Sequence, residues 1–302
     1  MSAMPPKICA QLALAMLAAS PAVAAAQSDC TGLGATATTL CEAAHASAGI
    51  ARLGGAVIAS GGSPVGGSAS TLGMRVGVPR AALSARVAAG RIEVPSVRMN
   101  QTDADHATMF YYGVEGAVGL FEGFSPAATV GGVASLDVVA SLGRIGLPSG
   151  FDGGAGTWSI GLRAGVLRES FTAPGITLSA VYRRLGSLTR GDTTLANSDA
   201  SAVADGAGVW SLRGVVGKRI AGVGLLAGLG HDRGSTDTHI RAREDGPTAT
   251  RDIESTTGRT TGFAAISWTS LVYTLSAEAG WQGGAHGRGG TPFGGAAVRI
   301  TF

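Results

Sequence analysis

General acid–base catalysis most often relies on histidine, and this chain has five: His45, His106, His231, His239 and His286. Two of them share the stretch "HDRGSTDTH" with Asp232 and Asp237, the one place where a His–carboxylate site could form. A third follows Asp103 and Asp105 in "TDADH". Two carboxylates so close in sequence are too few for a calcium loop, whose ligands are spread over about a dozen residues. Both stretches read as solvated loops, so no enzymatic activity, cofactor or metal is expected. Cys30 and Cys41 remain once the apolar N-terminus with Cys9 is set aside. In an oxidising compartment they are candidates for a disulfide closing a short loop. Without nearby histidines they do not make a zinc site.

The more telling ionisable residues are single charges set in alternating apolar segments. Arg75, Arg86, Glu115, Asp137, Arg163, Arg183, Arg213, Glu278 and Arg299 all take the parity opposite to the apolar residues around them. In "TWSIGLRAGV", for example, Trp158, Ile160, Leu162, Ala164 and Val166 alternate with Ser159, Gly161 and Arg163. The theme recurs from Leu72 to Phe302, about ten residues at a time, with turn residues between. A period of two over this many segments makes an all-β protein.

Composition narrows the class. Charged residues are 14% and aromatics 5%, against about 25% charged in soluble domains. Glycine supplies 49 of 302 residues, more than twice the usual ~7%. The formal charge of +3 and the absence of a basic cluster exclude a nucleic-acid partner. Residues 1–26 read as a secretory signal peptide, with Lys7 before a short apolar run and a small-residue cleavage site ahead of Gln27. Residues 27–70 form an N-terminal segment, a candidate hatch or plug, and 71–302 the β-region.

Alternation alone does not distinguish a soluble sandwich from a membrane barrel, but four features do. The polar face is Gly, Ser and Ala rather than Lys and Glu, as suits a concave interior. Charges stay off the apolar parity in mid-strand, where an Arg facing lipid costs ~2–4 kcal/mol. The exceptions, Glu122, Arg168, Arg184 and Lys218, fall at strand ends. Aromatic residues of apolar parity also gather at strand ends: Tyr112, Trp158, Tyr182, Trp210, Trp268, Tyr273, Trp281 and Phe302, as in two interfacial girdles. Finally, tight connections at Pro79–Ala81, Ile220–Gly222 and Thr269–Ser270 alternate with long polar ones at 91–108, 187–207 and 231–260. The last of these contains a hairpin signal at "EDGP". These features predict a transmembrane antiparallel up-and-down β-barrel. Eleven strands are countable from residue 72. Even numbers are usual, so twelve is the expected count, with ten and fourteen open. "ARLGGAVIAS" (Ala51–Ser60) is either the extra strand or a segment inside the lumen.

The terminal "AVRITF" resembles the β-signal of bacterial outer-membrane β-barrel proteins. That resemblance implies an outer-membrane location, lipid as a partner, and reading of Phe302 by the barrel-assembly machinery. A narrower stretch, "HASAGIARLGGAVIASGGSPVGGSASTLGMRVG", is similar to the N-terminal hatch of fatty-acid-transporter-like barrels. Gly54, Gly55 and Ala56, then Ser63, Pro64, Gly66 and Gly67, stand as counterparts, with Ser63 in place of that group's asparagine.

Two functions follow as expectations. Six lumen arginines against three acids would make an open lumen favour anions, and a lumen filled by residues 42–70 would leave only a path for a small apolar ligand. Both are passive transport. The alternative is a non-conducting barrel that anchors or docks exported proteins through its long loops.

Overall fold

The computed structural model describes residues 30–60, 69–75, 77–98, 105–125, 131–152, 154–191, 200–206, 208–243, 248–284 and 290–302. The expected signal peptide, the Ser63–Gly67 turn, Asp103 and His286 lie outside the described residues. Ten strands form the wall: β1 (Ala81–Val94), β2 (Asp105–Phe121), β3 (Ser135–Gly146), β4 (Gly154–Leu167), β5 (Gly175–Leu185), β6 (Gly208–Ile220), β7 (Val223–Ala242), β8 (Ala249–Ser270), β9 (Tyr273–Gln282) and β10 (Thr291–Thr301). Each is antiparallel to its sequence neighbour. The sheet closes where β10 pairs with β1, from Phe293↔Gly90 to Thr301↔Ala82. Closure leaves no unpaired edge, a requirement for any sheet crossing a bilayer.

The strand number is ten, the lower end of the expected range. Leu72–Val78 alternates in sequence but is no wall strand. Met74–Arg75 and Val78–Pro79 pair as a small hairpin of their own, bent by Gly73 and Gly77 at positive φ. Pro79–Ala81 therefore leads into the barrel and does not join two of its strands. Of the two roles open to Ala51–Ser60, extra strand or lumen segment, the structure shows the second: it completes a 26-residue helix, α1 (Ala35–Ser60). Its alanines favour a helix. Because it is buried nearly all round, it lacks the amphipathic stripe by which sequence reveals helices.

One end of the barrel carries the tight turns, at Ala221–Gly222 and Leu271–Val272, together with the C-terminus. Ala221, Gly222 and Leu271 adopt positive φ, as two-residue hairpin turns require. The second turn lies two residues past Thr269–Ser270, which still pair within the sheet. Among the connections at this end, β2–β3 is not short; it carries an isolated bridge between Phe124 and Val133.

The opposite end is taller. The strands β7 and β8 run for 20 and 22 residues, about twice the ~9–11 needed to span a bilayer. Most of 231–260 is thus paired strand rather than loop, from His231↔Thr260 to Ala242↔Ala249. The "EDGP" turn itself lies outside the described residues. Where β6 begins, at Gly208, Ala200–Asp205 continues the pairing along upper β7, and Leu188–Arg190 and Phe151–Asp152 extend it.

Candidate functional site

The helix α1 occupies the lumen. Nineteen of its 26 residues are buried, without interruption from Ser47 to Ser60. Its small residues permit close contact with the wall. A Cβ on Gly54 would stand 2.8 Å from Ile92 Cγ2, and one on Gly55 would stand 3.0 Å from Ile145 Cδ1 and 3.2 Å from Met109 Cε. The direction of the helix is fixed by its ends. Near its start the buried Cys30 and Cys41 form a disulfide. Ser47 donates to the Pro95 carbonyl just above β1 (2.9 Å). At its finish, Arg86 Nη1 donates to Ala59 O (2.7 Å) in the middle of the barrel. The N-terminus of α1 therefore faces the tall end. Beyond Ser60, the chain is described again from Ala69 at the short-turn end. There Ser70 Oγ accepts from Glu169 N (2.9 Å) and the Thr71 and Ser135 hydroxyls lie 2.6 Å apart.

The inner face of the wall has two zones. Around α1 it is apolar, with Ile92, Met109, Tyr111, Ile145, Phe263 and Phe293 all buried. These residues have the parity that sequence reading assigned to a polar lumen. They are buried because the helix, not water, fills the bore at their level. The glycines opposite make room for the rings. A Cβ on Gly143 would meet Tyr111 Cε2 at 2.5 Å, and one on Gly280 would meet Phe293 Cζ at 2.5 Å.

Below the helix end the wall is polar, and the charges expected in the lumen meet there. Arg163 donates to Asp137 through Nε (3.0 Å) and Nη2 (2.6 Å). The same carboxylate accepts from the backbone of Leu72 (2.9 Å) and Gly73 (3.2 Å), which ties the segment after the helix to the wall. Arg86 pairs with Glu278, and Arg213 Nη2 with both oxygens of Asp232 (3.1 and 3.0 Å). Ser211 and Thr261 complete that second cluster. The buried Arg183 donates to Ser141 Oγ (3.4 Å). It lines a small void with Glu115, Ser159, Ser179, Arg213 and, as the roof, Ser60. Arg299 is buried in the same interior. Arg75 belongs to the small hairpin rather than the wall, and its side chain is not among those described.

Several interior residues escaped the sequence reading. Asp232, placed there in a rim loop beside His231 and His239, is fully buried and faces inward. Arg259 is also buried and donates to Gln282 Oε1 (3.0 Å). The alternation of Val223–Leu229 and of Ala264–Trp268, continued past their apolar stretches, puts both on the inner face. Arg52 on α1 is 1% exposed, and none of its guanidinium nitrogens has a hydrogen-bond partner among the described residues. No sequence signal marked it, since nothing local shows that a helix will be enclosed. Among the described residues the histidines do not converge. His45 is buried on α1, His239 pairs with Asp252 on the outer face, and His106 stands 3.6 Å from Glu93.

The outer face is apolar between two levels of aromatic residues. Leu83, Val114, Leu142, Ile160, Leu212 and Leu225 are among the large side chains left exposed there. Toward the tall end stand Tyr112, Trp158, Tyr182, Trp210 and Trp281, with Tyr182 5.9 Å from Trp158 and 5.3 Å from Trp210 between ring centres. Toward the short-turn end stand Trp268, Tyr273 and Phe302. A closed sheet with such a belt outside and ion pairs inside is inverted relative to a soluble protein, because hydrocarbon is its outer solvent. These features define a transmembrane β-barrel of the bacterial outer-membrane type.

No protein-family model matches the chain, and no curated protein matches it in sequence. Solved structures similar to it are outer-membrane barrels. The translocator domain of autotransporter NalP from Neisseria meningitidis is 15% identical over 86% of this chain and 97% of that one, with a TM-score of 0.46. The transport unit of the autotransporter AIDA-I from Escherichia coli is 7% identical over 86% and 99%, with a TM-score of 0.41. The outer membrane protease OmpT from Escherichia coli is 9% identical over 78% and 100%, with a TM-score of 0.38.

Proposed function

We propose that this protein is a sealed outer-membrane barrel that anchors its own N-terminal segment and carries it through the lumen to the cell surface. The observation that supports this is α1, enclosed by the wall with its N-terminus at the tall end. In outer-membrane barrels short turns face the periplasm and long extensions face outward. With that orientation, Cys30 and the start of α1 lie at the outer end of the barrel. Export behind a signal peptide cleaved before Gln27, and reading of Phe302 during assembly, complete the proposal.

The test is an epitope tag inserted just before Cys30. On intact cells it should be labelled by antibody and removed by added protease, while planar-bilayer recordings of the full chain stay silent. A tag reached only after the outer membrane is permeabilised refutes the orientation, and a steady open conductance refutes the seal.

One observation favours a second reading, in which passive transport is gated. Burying an unpaired guanidinium costs several kcal/mol, so Arg52 works against the inserted position of α1. Rare conductance openings that disappear in Arg52→Met would support a plug that leaves the bore.

A further inference from the structure

Three exposed arginines on the outer face repeat one local pattern. Across the sheet, Tyr112 pairs with Arg144 and Arg144 with Gly156. Trp158 pairs with Arg184 and Arg184 with Gly208. Trp210 pairs with Arg233 and Arg233 with Gly258. Each arginine thus has an aromatic neighbour on one side and a glycine, with no side chain, on the other. All three stand exposed on β3, β5 and β7, and none forms a hydrogen bond or ion pair with a described residue.

The three positions are level with one another. Arg184 lies in the row of Leu142, one same-face step below Arg144. Arg233 lies in the row of Tyr182, one such step below Arg184. Each move is therefore two strands across, ~9.6 Å, and one same-face step along, ~6.6 Å. That puts neighbouring arginines about 12 Å apart along a line inclined about 35° to the rows, which matches the tilt of strands in such barrels. The line runs parallel to the membrane plane, at the outer level of the aromatic girdle. It ends on both sides: the equivalent places are Ala89 on β1 and Gly283 just past β9. The exposed carboxylates Asp205, Asp237 and Glu254 are neighbours of one another higher on the wall, four residues above Arg233 along β7 and above Gly258 along β8.

Unpartnered cations at a girdle meet the phosphate level of a bilayer, not its hydrocarbon. A guanidinium binds phosphate through paired N–H groups, and an aromatic ring beside it favours the same interfacial depth. We propose that Arg144, Arg184 and Arg233, with Tyr112, Trp158 and Trp210, form a one-sided binding belt for a lipid whose headgroup carries phosphate monoesters, in the outer leaflet. The proposal rests on the outward orientation of the tall end. The surface-tag experiment above tests that orientation separately.

The test titrates lipid A into the full, detergent-folded protein and counts bound lipid by native mass spectrometry. At ~1 kcal/mol per arginine near an anionic surface, each Arg→Gln change weakens binding about fivefold, and the triple Arg144→Gln/Arg184→Gln/Arg233→Gln on the order of a hundredfold. A triple of equal charge change at the opposite rim, Arg80→Gln/Arg168→Gln/Arg219→Gln, should bind as the wild type does. Heat-modifiable gel mobility reports that each variant is folded. The proposal is overturned if the first triple binds within about threefold of wild type, or if the opposite-rim triple loses as much. It is equally overturned if dephosphorylated lipid A binds as well, or if excess inorganic phosphate displaces the lipid completely, which would make the site one for free phosphate.

Discussion

Asp137→Ala should be the most damaging single change in the lumen. The Asp137 side chain is fully buried and serves two elements at once. It accepts both bonds from Arg163, itself 2% exposed, and it accepts the amides of Leu72 and Gly73. Removing one partner of a buried pair costs ~3–5 kcal/mol because the other charge is stranded. Each unsatisfied amide adds ~1–3 kcal/mol. Water entering the space left by the carboxylate can satisfy the two amides, so the low end of the pair cost alone, ~3 kcal/mol, is the reasoned figure. With a slope of ~1–3 kcal/mol per molar urea, the unfolding midpoint in lipid vesicles should fall by about 1 M or more. The segment at 69–73 should also become open to protease from the short-turn side while the barrel remains folded. Arg163→Met alone should be damaging as well, since it leaves a buried carboxylate. The double variant should lose less than the sum of the two by ~1–3 kcal/mol. Additive losses, or a midpoint unchanged in Asp137→Ala, would refute the claim that this pair anchors the chain leaving the helix.

Three further outcomes are expected. Arg52→Met should raise the urea midpoint, because an apolar side chain of similar length replaces an unpaired buried charge, a gain of ~1–4 kcal/mol. Gly55→Val should overpack the helix against Ile145 and Met109 at a cost of ~1–3 kcal/mol, seen as faster proteolysis of α1 with barrel mobility on gels unchanged. Cys41→Ser should free the outer end of the helix without opening the wall, so that hydrogen exchange rises near Thr38 but not in β1–β10; a general rise would show that the disulfide stabilises the whole barrel.

Much of this protein was legible in the chain because lipid imposes a local rule. Every wall strand must turn apolar side chains outward, so period two appears within each segment. Arg163 and Arg213 betray the inner face by parity alone, and Trp158 and Trp210 mark a strand end by position. The sequence therefore determined a β-barrel, its inside and outside, and most of the charges that meet in its lumen. It did not determine what lies within the barrel. A helix enclosed on all sides needs no polar face, so Ala51–Ser60 could pass for a strand, and the lumen side at Ile92 and Phe263 could be expected to face water rather than the helix. Tertiary closure decided the rest: that ten strands suffice, that Asp232 meets Arg213 and Asp137 meets Arg163, and that Arg144, Arg184 and Arg233 stand level. Those relations depend on register between strands distant in sequence, and no local pattern of residues encodes it.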